Sequence, residues 1–65
     1  MSREMFIVEG DLLRETPAAY LIDFGGDEYW VPKSLIEDEN IERTLKRDMI
    51  SCAVPEWFAI EKGMI

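Results

Sequence analysis

The residues best placed to do chemistry in this 65-residue chain are carboxylates, and the chemistry they suit is electrostatic docking. Glu37-Asp38-Glu39 form a continuous acidic run, with Glu42 close behind. Asp23, Asp27 and Glu28 gather around the pair Gly25-Gly26 and extend the patch if that turn lies on the same side. Clustered carboxylates are drawn to basic surfaces, including those that bind nucleic acid. The plainer alternative is a solvated polar face that keeps a small protein soluble. Fourteen acids oppose seven bases for a net charge of −7. The imbalance is uneven, since residues 1–42 hold eleven of the acids and three of the bases. Such a chain repels nucleic acid and anionic membranes, so neither is expected to bind it directly.

Other chemistries find little footing. The chain has no histidine, so neither a Ser–His–acid triad nor a self-contained zinc site can be assembled from it. Cys52 is the only cysteine, which rules out an internal disulfide and leaves a small core hydrophobe as its plain role. Asp23-Phe24-Gly25 spells a kinase triplet with nothing around it to support a kinase. Asp38-Glu39-Asn40 begins like a calcium loop but lacks its glycine and its closing glutamate. No glycine-rich phosphate loop is present. Paired carboxylates of the glycosidase kind can be drawn among so many acids, but a domain this small leaves little room for a substrate cleft. No catalysis and no cofactor are expected.

The elements that position these residues follow from pattern. One domain of this size buries about 60% of its unfolded surface and is marginally stable. Met5–Val8 reads as a strand that can continue to Leu13 through a bend at Gly10. Ala18–Phe24 alternates, with Ala18, Tyr20, Ile22 and Phe24 on one face, as a strand with a covered inner side does. Gly25-Gly26 turns it into a third strand, Glu28–Val31, because glycine takes the positive φ of tight hairpins. Pro32 ends regular pairing, and Lys33-Ser34 make a sharp corner before Leu35-Ile36.

Glu37–Asp48 reads two ways. As a helix it places Ile41, Leu45, Met49 and Cys52 on one stripe and pairs Glu39 with Arg43 and Glu42 with Lys46 at i,i+4. As strands the same residues make a polar hairpin. The helical reading, near Asn40–Arg47, is preferred, followed by a strand at Ile50–Val54. Pro55 suits the first turn of a C-terminal helix that lays Trp57, Phe58 or Ile60 on the sheet, and Gly63 suits its end. Tyr29, Trp30 and Trp57 are expected in the core; an exposed Trp among them would make an interface anchor. The expected fold is α+β: a small curled antiparallel sheet with a C-terminal helix packed on it.

The corner Trp30-Val31-Pro32-Lys33-Ser34-Leu35-Ile36 resembles the strand–turn–strand near the end of SH3-like barrels, which implies a partly SH3-like sheet. Three stretches, Glu15–Ile22, Glu28–Glu37 and Val54–Ile65, together resemble a family of short acidic phage-encoded proteins, with Pro55-Glu56-Trp57-Phe58-Ala59-Ile60-Glu61-Lys62-Gly63 the most distinctive part. The chain departs from that family at Asp38–Asp48, which is longer and more charged. Size, acidity and phage character are also similar to anti-CRISPR proteins, in particular those acting on the type I-C surveillance complex. That resemblance implies a non-enzymatic inhibitor in the cytoplasm of a bacterial host. Its partner would be the basic DNA-binding surface of the complex, on the large subunit of Cascade. The contact residues expected are Glu37, Asp38, Glu39, Glu42, Asp23, Asp27 and Glu28, with charge reversal across Glu37, Asp38, Glu39 and Glu42 expected to abolish inhibition without unfolding the domain. The alternative is an accessory module of phage replication or recombination that docks through an apolar strand edge or an exposed Trp. An odd cysteine and an unpaired sheet edge leave monomer and weak homodimer both open.

Overall fold

The computed structural model describes residues 4–65. Five strands and one helix follow in order: β1 (Met5–Glu15), β2 (Ala19–Phe24), β3 (Asp27–Pro32), a 3-10 turn (Lys33–Leu35), β4 (Glu37–Arg43), β5 (Asp48–Pro55) and α1 (Glu56–Lys62). All strand pairs are antiparallel, in the spatial order β3-β2-β1-β5-β4. The α+β class, the antiparallel sheet and the C-terminal helix agree with the sequence. The curled, partly SH3-like sheet does not. The sheet is open, with β3 and β4 as opposite edges that do not pair with each other among the described residues.

The expected helix near Asn40–Arg47 is also absent. Glu37–Arg43 instead adds a fifth strand to β5, and Thr44–Arg47 is the turn between them. Thr44 sets that turn: its Oγ accepts from the Arg47 N–H at 3.1 Å and donates to the Arg47 carbonyl. Leu45, which the helical reading turned toward the core, stands fully exposed at the tip.

β1 organises the sheet. Its residues Met5–Leu12 pair with β5, and Asp11–Glu15 pair with β2, with a bulge between Leu12 and Arg14. Gly25 and Gly26 both have positive φ (65° and 91°), the backbone a two-residue hairpin loop needs. Cross-strand pairing then fixes the faces, because directly opposed residues point the same way. One face carries Val8, Tyr20, Ile22, Val31, Ile50, Cys52 and Val54, all buried, and α1 closes over it with Phe58 and Ala59. Gly63 caps the helix in the left-handed conformation (φ 79°), and the Met64 N–H returns to the Ala59 carbonyl at 2.8 Å, folding Met64 into the core.

The opposite face carries no helix among the described residues. There Leu21 and Ala53 are buried by cross-strand neighbours, Trp30 and Arg14 beside one, Ile7 and Glu37 beside the other. Both tryptophans, expected in the core, are on the surface: Trp30 is 48% and Trp57 57% exposed. Trp30 lies on an edge strand's open face, and Trp57 on the side of α1 turned from the sheet, while Phe58 takes the core position.

Candidate functional site: an acidic row across the open face

The pairing register builds a row that no stretch of sequence contains. Glu28 opposes Asp23, Asp23 opposes Asp11, Asp11 opposes Met49, and Met49 opposes Glu42. The row crosses all five strands on the open face and places four carboxylates in it. Strands lie about 4.8 Å apart, so Glu28 and Glu42 are separated by about 19 Å along the row. The next row toward the α1 end adds Glu9, opposite Ser51, itself opposite Asn40. A shallow cleft of about 330 Å³ lies between Glu9 and Glu42, lined also by Asn40, Met49 and Ser51.

Of the seven acids singled out from the sequence, Asp23, Glu28 and Glu42 meet in this row. Glu37 shares the face near the far end of β4, opposite Ala53. The other three go elsewhere. Asp27 pairs with Phe24, whose register places it on the helix-covered side. Asp38 occupies the irregularity between Glu37 and Asn40 with φ 53°, the extra residue of a bulge in an edge strand. Glu39 is turned under the sheet, where its carboxylate accepts a 2.6 Å hydrogen bond from the Tyr20 hydroxyl. Asp11 and Glu9 were missed, because they lie on β1, far in sequence from the acidic run.

The row's charges are only partly met among the described residues. Arg47, in the β4–β5 turn, reaches Asp11 at 3.3 Å. Arg43 pairs with Asp48 at 2.8 Å, and Lys33 with Glu15 at 2.7 Å. Asp23 accepts a 3.1 Å bond from the Gly26 N–H and so also fastens the hairpin. Glu9, Glu28 and Glu42 have no cationic partner among the described residues. Among those residues no group of three or more histidines, cysteines or acids is arranged to hold a metal ion. Cys52 is buried, and burial first, then the charge of Glu39, pushes its thiol up to about 11, so it stays a protonated core residue. No helix among the described residues is long and apolar enough to cross a membrane.

The Tyr20–Glu39 bond makes a direct prediction. The bond to Glu39, then burial, raises the Tyr20 hydroxyl from 10 to about 12. Its stabilising contribution is therefore complete below pH 10 and is lost as pH rises through about 12. In a Tyr29→Phe background, ultraviolet titration is expected to place the Tyr20 midpoint near 12, and Glu39→Gln to bring it back toward 10. An unchanged midpoint in Glu39→Gln would remove Glu39 as the cause. No family model, curated protein or solved structure matches this chain.

Proposed function

We propose that this chain is a non-enzymatic inhibitor of the phage anti-CRISPR type. In this reading it binds the basic DNA-reading surface of a type I-C surveillance complex, on the large subunit, and blocks target DNA. The observation that carries the reading is the row Glu28–Asp23–Asp11–Glu42 with Glu9 beside it. A β-sheet holds these carboxylates at fixed spacing on an open face. Four carboxylates along about 19 Å, one per strand except at Met49 of β5, are spaced within about twofold of the one phosphate per 3.4 Å of axis along each strand of a duplex. Lys and Arg side chains that hold phosphates can therefore be met by several carboxylates at once, with little ordering to do on binding.

The test is target-DNA binding by purified type I-C complex, with and without this protein, at two salt concentrations. The expected result is loss of DNA binding that salt relieves, because exposed charges are screened over about 8–10 Å. DNA binding that persists while interference is blocked would move the target to nuclease recruitment.

A second reading has its own observation. Trp30 is half exposed on the open face of edge strand β3, beside Leu21. An accessory module of phage replication or recombination would dock through that edge. Its binding would hardly respond to salt, and Trp30→Ala would weaken it far more than any change in the acidic row.

A further inference from the structure

At the end of the sheet where β1 begins and α1 starts lies an open cleft of about 630 Å³. Met5, Leu35 and Trp57 supply apolar walls, and Glu4, Glu37 and Glu56 line it with carboxylates. The cleft is held by backbone: the Glu56 N–H donates to the Glu4 carbonyl at 2.9 Å, which sets those two residues side by side. Trp57 is braced edge-on against the buried Phe58 ring, with centroids 5.9 Å apart, and still keeps 57% of its surface exposed. None of the three glutamates is in an ion pair among the described residues. That backbone bond crowds Glu56 against Glu4 instead, and the neighbouring carboxyl holds the Glu56 carboxyl above its usual range. A cation between them would relieve that crowding.

The geometry points to a seat for an arginine side chain of a basic protein partner, stacked on Trp57 and forked between the Glu4 and Glu56 carboxylates. The assignment rests on reading the open face as a docking surface for a basic partner. Register supports the connection: Glu37 and Glu42 share that face along β4, and their β5 partners Ala53 and Met49 are about 13 Å apart. Apolar walls suit the methylene stem, an exposed indole suits the flat guanidinium, and paired carboxylates suit its fork of donors. A lysine ammonium meets the charge but not the plane or the fork.

A hexa-arginine peptide titrated against the Trp30→Phe protein, where Trp57 is the sole tryptophan, tests the seat. The arginine peptide is expected to change Trp57 emission saturably, and hexa-lysine to bind several-fold more weakly. Glu4→Gln with Glu56→Gln is expected to weaken the arginine peptide by about tenfold, one lost charge-assisted hydrogen bond or more. Equal binding of both peptides, unchanged Trp57 emission, or an unaffected double variant would each overturn the assignment. The DNA-binding assay separates this idea from the broader one. If the wild type blocks DNA and the double variant blocks it equally well, the seat is wrong and the inhibitor reading stands. If the arginine peptide seats as described but the wild type leaves DNA binding intact, the seat stands and the inhibitor reading falls.

Discussion

Gly10→Ala is expected to lose about 3 kcal/mol or more of stability, enough to unfold much of a domain this small. A Cβ built at Gly10 stands 2.1 Å from the Asp23 carbonyl oxygen and 3.1 Å from its carbonyl carbon, with the Ile22 Cγ2 at 3.2 Å. Two of those neighbours are backbone, which cannot swing aside as a side-chain tip does. The crowding has a cause in topology. Near Gly10, β1 exchanges its pairing with β5 for its pairing with β2, and Asp11 opposes both Met49 and Asp23. Shifting β2 to admit a methyl group would pull apart Asp11–Asp23 and Leu12–Ile22 together. Gly25 is the control. It has positive φ but open space around its Cβ position, so Gly25→Ala meets backbone strain alone, about 1 kcal/mol. Urea melts followed by tryptophan fluorescence compare the two. A Gly10→Ala protein with the wild-type midpoint would show that β2 does not press on β1 there.

How much of this was legible depends on whether the deciding interaction is local. The alternation through Tyr20, Ile22 and Phe24 named the helix-covered face of β2, where Tyr20 and Ile22 are buried and Phe24 half-buried, although Leu21 on the other face is buried too. Gly25-Gly26 and Gly63 marked a turn and a helix end through their own backbone needs, and all three have positive φ. β4 was misread because it is an edge. A strand with one neighbour needs little apolar content, and its Ile41 alone is half-buried. The i,i+4 pairing of Glu39 with Arg43 then looked helical, whereas Arg43 bonds Asp48 across the hairpin and Glu39 bonds Tyr20. The acidic row was illegible for a different reason. Asp11, Asp23, Glu28 and Glu42 come together only through register between strands far apart in sequence. Only the Asp23–Glu28 pair, one step beyond the Phe24–Asp27 pair that flanks the two-residue loop, could have been placed from the turn alone. The conspicuous run Glu37-Asp38-Glu39 is dispersed by the bulge that separates its side chains.

That dispersal decides which carboxylates to reverse. Reversing Glu39 would break its bond to Tyr20 and confuse stability with binding. Reversing Asp23 would unfasten the Gly26 N–H. Glu9, Glu28 and Glu42 are exposed on the open face, and their side chains make no hydrogen bond or ion pair among the described residues. Substitutions at such positions usually leave stability within about 0.5 kcal/mol. The triple variant Glu9→Lys, Glu28→Lys, Glu42→Lys should therefore melt like the wild type. Its effect on binding should be large. If each carboxylate meets one phosphate-binding cation at about 1 kcal/mol, losing three weakens the complex by about a hundredfold before repulsion is counted. By analogy with phosphate contacts, the slope of log affinity against log salt should fall by about three. Asp27→Lys changes charge by the same step on the helix-covered side of the register and should leave affinity and slope nearly unchanged. These four quantities discriminate sharply. A triple variant that inhibits like the wild type would remove the row from the mechanism. An Asp27 variant as damaged, charge for charge, as the row variant would mean that net charge matters and the geometry of the face does not.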